Sequence, residues 1–202
     1  MKNLVIKAEK TAMNVKRESE SARQLLNLLK EKSNASVLDY GCGLGRNINF
    51  LLNNSQSVSV DGCDTEEQVK NINKDEEKMK FLLSKNTTIT TSLELKKEYD
   101  FILSSHVLNV VLDDVKLFII EDMYRLLKKG GKAIIQVRTA SDVESAKSKE
   151  KFGCGWLIQK GKDKTYQEGI TKEKMENLLS QAGFKIVNHK FTKSIHMVEV
   201  VK

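Results

Sequence analysis

Ser36-Val37-Leu38-Asp39-Tyr40-Gly41-Cys42-Gly43-Leu44-Gly45-Arg46-Asn47 runs from an apolar, β-prone pair through an acid into three glycines spaced by one. The segment that follows carries Ile48, Leu51 and Leu52 on one helical side. Strand, tight turn and helix in that order form the βα unit in which a nucleoside-type ligand lies against bare backbone. A sharp strand-to-helix reversal asks for positive φ, which glycine reaches without a Cβ penalty. The missing side chains also predict close approach of a ligand to the main chain. Dinucleotide-binding turns usually read G-x-G-x-x-G after an apolar strand end. Here the spacing is G-x-G-x-G, and Asp39 precedes the first glycine by two residues. A carboxylate there would repel a pyrophosphate and suits a cation.

Outward from this turn, helix and strand patterns alternate. Residues 15–32 read as an amphipathic helix with Ala22, Leu25, Leu26, Leu28 and Leu29 on one side. Strands are predicted at 36–39, 58–64, 87–91, 99–104 and 132–137, with helices at 46–53, from Thr65 to about 84, and at 115–128. Thr65 can cap its helix, with Glu66 and Glu67 well placed for the dipole. Gly130-Gly131 reads as a helix stop. A last helix runs from Thr171 to Ala182, ended by Gly183, and strands at 184–191 and 195–201 are predicted to form a hairpin. Such alternation predicts an α/β fold with a mainly parallel sheet, helices on both faces and an antiparallel edge. Residues 138–170 break the pattern, and we expect a long irregular insertion at the carboxyl edge of the sheet, where ligands bind. Its Trp156 argues for packing or a partner contact.

With 202 residues and 40% apolar content, the chain suits one soluble domain with a real core, preceded by an N-terminal helical extension over 1–34. No apolar run approaches the roughly 20 residues of a membrane span. The apolar part of Met1–Lys7 is too short for a signal peptide. Cys42, Cys63 and Cys154 are far apart and odd in number, so reduced thiols, no metal site and a cytoplasmic location are expected. The net charge of +7 is uneven: residues 37–137 hold 13 Lys/Arg against 15 Asp/Glu, and every flanking stretch is net basic. A basic rim around a near-neutral core suits a phosphate-bearing substrate, and equally a lysine-rich solubilising surface.

The Asp-x-Gly-x-Gly-x-Gly turn resembles the first motif of the class I S-adenosylmethionine-dependent methyltransferases. That resemblance implies a Rossmann-like fold with strand order 3-2-1-4-5-7-6 and S-adenosylmethionine as cofactor. It implies that the turn, through Asp39, Tyr40, Gly41, Cys42 and Gly43, holds the methionine part, with Asp39 helping to hold its amino group. Asp64, ending the second strand, sits where an acid can accept from both ribose hydroxyls; the alternative is a helix N-cap. Relatives often carry an acid at the adenine amino group, and none stands at the end of the third strand, which leaves Ser92 or a backbone contact. The stretch Ser104–Asn109 faces the reacting methyl in this fold. His106 is a candidate general base there or a packing histidine, and Asn109 either orients the acceptor or holds the loop.

The absence of proline excludes the (Asp/Asn/Ser)-Pro-Pro-(Tyr/Phe) motif of amine-directed DNA methyltransferases and the Pro-Cys nucleophile of cytosine C5 enzymes. Lys10-Thr11-Ala12-Met13, Asp39–Gly43, Val107–Val110 and Thr165-Tyr166-Gln167 also resemble a group of methyltransferases encoded beside DNA-phosphorothioation systems and on mobile elements. The chain departs from that group at Leu44–Asn47, where an acidic pair is expected. This resemblance implies a DNA or RNA acceptor, with Lys10, Arg17, Arg23 and Arg138 as candidate phosphate contacts and Tyr166 as a stacking residue. A small-molecule methyltransferase and a non-catalytic cofactor-binding or partner module are the alternatives. An enclosed pocket under residues 152–170 would favour the small molecule, and an open basic groove nucleic acid.

Overall fold

The computed structural model describes Thr11 and residues 17–55, 57–145 and 149–202. The strands are β1 (Ala35–Tyr40), β2 (Val58–Cys63), β3 (Ile89–Thr90), β4 (Tyr99–Ser105), β5 (Leu127–Arg138), β6 (Lys149–Phe152), β7 (Gly155–Lys160), β8 (Asp163–Gln167), β9 (Lys185–Phe191) and β10 (Ile195–Val201). Seven of them form one sheet in the order β3-β2-β1-β4-β5-β10-β9. This is the order expected from the resemblance, with β9 and β10 as the sixth and seventh strands. β1 pairs in parallel with β2 and β4, and β10 runs antiparallel to β5 and β9. The inner strands are buried on both faces, so they read as near-continuous apolar runs.

The helices are α1 (Glu20–Leu29), α2 (Arg46–Asn54), α3 (Glu66–Asn73), α4 (Glu76–Ser84), α5 (Asp113–Leu126), α6 (Ala140–Glu144) and α7 (Lys172–Gln181). α1 to α4 cover one face, packing Leu25, Ile48, Leu51, Ile72 and Leu82 against Val37, Val60, Phe101 and Leu103. α5 and α7 cover the other, with Ile120, Met123, Met175 and Leu179 against Leu38, Ile102, Ile135 and Val198. Each such buried aliphatic side chain contributes roughly 1.5–3 kcal/mol relative to exposure. Alternate strand residues serve the two faces, as the period of two requires.

Three expectations are corrected. Gly130-Gly131 is not a helix stop: α5 ends at Leu126, and both glycines lie within β5, which starts at Leu127. The single helix from Thr65 to about 84 is two helices, because the Asp75 side chain accepts from the Lys78 N–H and caps a new start. The stretch 138–170 is not irregular: after α6, the strands β6, β7 and β8 form a separate three-stranded antiparallel sheet. Its turns carry Gly153 and Gly161 at φ of +55° and +62°, a region glycine enters freely.

Candidate active site

The glycine turn closes the carboxyl end of β1. The N–H groups of Gly41 and Cys42 both donate to Cys63 O, at 2.8 and 3.0 Å, which ties the turn to the end of β2. Gly43 N–H donates to Asp64 Oδ2 at 2.7 Å, and Thr65 N–H to Oδ1 at 2.7 Å. Gln68 reaches back from α3 to Gly43 O at 3.1 Å. All three glycines have positive φ. At Gly41 a second reason joins the expected positive φ: a β-carbon there would lie 2.2 Å from Val107 Cγ2. The space left at Gly41 is filled by the loop after β4. At Gly45, in contrast, no atom lies within 4 Å of that position.

A cavity of about 1030 Å³ opens beside this turn, at the carboxyl ends of the central strands. Tyr40, Gly41, Cys42, Gly43, Arg46, Asp64, Gln68 and Ser92 line one end. Val107, Val110, Val111, Val115, Phe118 and Ile119 line an apolar arm, with His106, Arg138, Asp142 and Gln167 close by. Leu93, Val115 and Phe118 are exposed, so the cavity has an apolar mouth. Ligands bind at this edge of open α/β sheets because crossovers diverge there.

Asp39 is fully buried beneath the turn and does not line the cavity. Neither carboxyl oxygen has a hydrogen-bond partner. Burial first, and the nearby Asp64 charge second, push its pKa up to about 7 against the pull of the Arg46 charge. Arg46 begins α2 and has no acid in its helical turn. Burial lowers its pKa, and the charges of Asp39 and Glu18 oppose that. Sequence reading passed over Arg46; its signal was a cation at the amino end of a helix, where the dipole disfavours one. Tyr40 donates from its hydroxyl to Asp122 Oδ2 at 2.9 Å, and Arg125 joins Asp122 to the Ser92 carbonyl. These bonds draw the end of the third strand and α5 together beside the cavity.

The remaining predicted residues divide. His106 lines the cavity; Ser104 is buried below it with its hydroxyl unpartnered, and Asn109 is buried away from it. Asn109 Nδ2 donates to Arg138 O at 3.2 Å and Glu168 O at 2.5 Å, and its Oδ1 accepts from Arg138 N–H at 2.7 Å. The side chain thus holds the loop to β5 and to the chain after β8. Arg138 lines the cavity with its guanidinium on Asp142 at 2.5 Å and Gln167 at 2.9 Å. Tyr166 is not open to stacking: it is 2% exposed and donates to Glu168 at 2.8 Å. Arg23 pairs with Glu18, and exposed Arg17 lies off the cavity lining. Lys10 lies outside the described residues.

The buried pair Lys116 and Glu168 had no periodic signal. Lys116 Nζ, with no side-chain exposure, donates to Glu168 at 2.7 Å, Asp113 at 2.8 Å and Val111 O at 2.7 Å. Lys174 of α7 joins the same two carboxylates. Among the described residues, no cluster of three His, Cys, Asp or Glu side chains could hold a metal ion. No described helix is long and apolar enough to cross a membrane.

Seven strands in this order, with a glycine turn after the first and an acid after the second, define a Rossmann-like methyltransferase fold. The chain belongs to the family described as "Methyltransferase domain", which it matches over residues 13–189. Solved structures of the same fold include an S-adenosylmethionine-dependent methyltransferase from Clostridium acetobutylicum, at TM-score 0.71 and 13% identity, with 92% of each chain covered. A further one, from Aquifex aeolicus, superposes at TM-score 0.65 and 19% identity, covering 96% of this chain and 95% of that one. The 1,6-didemethyltoxoflavin-N1-methyltransferase of Burkholderia thailandensis superposes at TM-score 0.64 and 20% identity, covering 92% of this chain and 79% of that one. No curated protein sequence matches the chain.

Proposed function

We propose that the chain transfers a methyl group from S-adenosylmethionine to a small, largely apolar molecule. The observation that carries this reading is that one cavity is lined both by the glycine turn with Asp64 and Arg46 and by the apolar side chains of Val107, Val110, Val111, Val115, Phe118 and Ile119. Its volume of about 1030 Å³ stands at the top of the roughly 300–1,000 Å³ of small-molecule sites. That is room for a cofactor and a second small ligand side by side.

The residues present suit the cofactor. Asp64 faces the cavity, and a carboxylate offers about four lone-pair sites, so it can brace the turn and accept from a sugar diol together. Asp39, buried below the turn and off the cavity lining, would act on an ammonium group only as a charge through the turn, not by direct contact. Arg46 stands beside the turn, where a carboxylate would neutralise it. Ser92 and Leu93 line the end of the third strand and would flank an adenine. S-adenosylmethionine, when bound, supplies a methyl on positively charged sulfur, open to in-line displacement. What remains for the protein is to align the acceptor and exclude water, and the apolar arm does both.

The candidate phosphate contacts support the small acceptor over nucleic acid: Arg138 is engaged by Asp142, Arg23 by Glu18, and Tyr166 is buried. The test is incubation with methyl-labelled cofactor against separate DNA, RNA and small-metabolite pools. Label is expected in the small-molecule fraction. Label in DNA or RNA, with activity falling steeply as salt rises, would overturn the reading.

A further inference from the structure

We propose that His106 is a neutral hydrogen-bond donor to the methyl acceptor, with its proton fixed on Nδ1 by a relay from the start of α1. It does not act as a general base. The inference rests on the small-acceptor reading above, and it names the chemistry that acceptor must present.

The relay begins at a helix start. Ser21 is the second residue of α1, and its N–H is among the donors that a helix start leaves without an internal partner. It donates to Gln136 Oε1 at 2.8 Å. A backbone N–H cannot accept, so the Gln136 amide has its oxygen toward α1 and its nitrogen toward His106. Gln136 Nε2 lies 2.8 Å from His106 Nε2. An amide nitrogen only donates, so the ring nitrogen facing it supplies a lone pair, and the neutral ring carries its proton on Nδ1. Turning the ring over would place carbon against the amide and lose the bond. Ser21 is fully buried and Gln136 2% exposed, so water does not compete for either group. Gln136 also accepts the His106 N–H on its carbonyl at 2.7 Å, and His106 has a φ of +64°. One residue therefore holds both the main chain and the ring.

The other edge of the ring is unmatched. His106 Nδ1 is buried without a partner. Of the buried side-chain atoms left without a partner among the described residues, it alone belongs to a residue lining the cavity. Such an orphaned donor calls for a partner, and a ligand lone pair on a carbonyl or a pyridine-type nitrogen provides one once the side chains that close Nδ1 from solvent give way. A second proton on the ring would set Nε2–H against the Gln136 amide, donor against donor. Burial, with Arg46 of α2 and Arg138 of β5 nearby, also disfavours the imidazolium against the opposing charge of Asp142 on α6, and the pKa falls to about 4. With one nitrogen accepting from Gln136 and the other already protonated, no lone pair remains to take a proton. The acceptor this site favours has a methyl-receiving atom that needs no proton removed, and a separate lone pair for Nδ1–H.

The test uses the full chain with ¹⁵N-labelled histidine and bound S-adenosylhomocysteine, with His106→Asn to assign the ring signals. At neutral pH Nδ1 of His106 should show the protonated-type shift and Nε2 the pyridine-type shift. Gln136→Glu, which can only accept, should move the proton to Nε2. Binding of quinoline and of naphthalene, alike in shape but only one with a ring lone pair, is measured in parallel. Quinoline should bind roughly fivefold more tightly, the worth of one modest hydrogen bond. The preference should persist in His106→Asn, whose Nδ2 stands near the Nδ1 position, and vanish in His106→Phe. An Nε2–H or doubly protonated ring in the unaltered chain overturns the proposal. So does the expected tautomer with no preference for quinoline. The expected tautomer with neither probe binding instead removes the small apolar acceptor, and with it the role of Nδ1 in choosing one.

Discussion

At Gly41 two demands coincide. Its φ is +75°, and the Val107 methyl stands 2.2 Å from the place of a β-carbon. Gly41→Ala should destabilise the fold by about 1–3 kcal/mol, read from urea midpoints. Adding Val107→Ala should recover the steric part and leave the backbone part; full recovery would mean the left-handed φ carries no cost. Asp39 has the opposite kind of consequence, one that depends on pH. Its folded pKa of about 7 lies above the roughly 3.9 of an unfolded aspartate. Below pH about 4 both states hold the proton. Between about pH 4 and 7 the unfolded chain releases it while the folded chain keeps it, so this group's contribution lowers stability as pH rises, then levels off. Asp39→Asn should therefore be more stable than the unaltered chain above pH 7, with the gap closing toward pH 4. A gap that does not change with pH would contradict the raised pKa. At Asp64, Asn substitution should weaken S-adenosylhomocysteine binding by roughly 1–3 kcal/mol through lost charge-assisted bonds. Unchanged calorimetric affinity would take Asp64 off the sugar.

At the scale of elements, the turn and the acid after β2 were legible because each depends on local residue type and spacing, whereas the strand order came only through the family resemblance, since periodicity does not carry it. Glycines at 41, 43 and 45 announce positive φ, and an apolar run announces a buried strand. The small sheet was not legible, although Gly153 and Gly161 mark both of its turns. Polar β6 and β8 show no clear alternation, and Lys149 to Phe152 gains its partner only by pairing with β7. The buried ion pair was hidden for another reason. Lys116 and Glu168 stand 52 positions apart, and a lysine on an amphipathic helix reads as solvent-facing until Tyr166 and Glu168 cover it. Removing one partner of such a pair strands the other. Lys116→Met should cost about 3–5 kcal/mol, checked by chemical denaturation, and a loss under about 1 kcal/mol would show that Lys174 alone satisfies Glu168.

For the whole molecule, the charge pattern located the basic flanks and left the acceptor open, because charge along a chain does not show which cations are already paired. Arg138 illustrates this: it lies in the cavity, yet Asp142, four residues on, holds its guanidinium. The Val107–Gly41 contact was likewise invisible, since it needs the turn and the loop after β4 already folded side by side. The small sheet is fastened to the main body through Glu168, Lys116, Lys174 and Asn109. Trp156, the single tryptophan, sits on β7 within it. Its fluorescence should therefore follow far-ultraviolet circular dichroism through one shared unfolding transition. An earlier fluorescence transition would show the small sheet detaching as a separate unit.

The methyl of Val107 seated in the hollow of Gly41 means that the floor under one ligand and the wall beside the other are a single mechanical part. Any shift of the turn on cofactor binding is passed to the valine arm without an intermediary. Affinities for the two ligands are then linked reciprocally, each changing the other by the same factor. Occupancy of either end thus bears on how the other ligand is received, and one missing side chain couples the two.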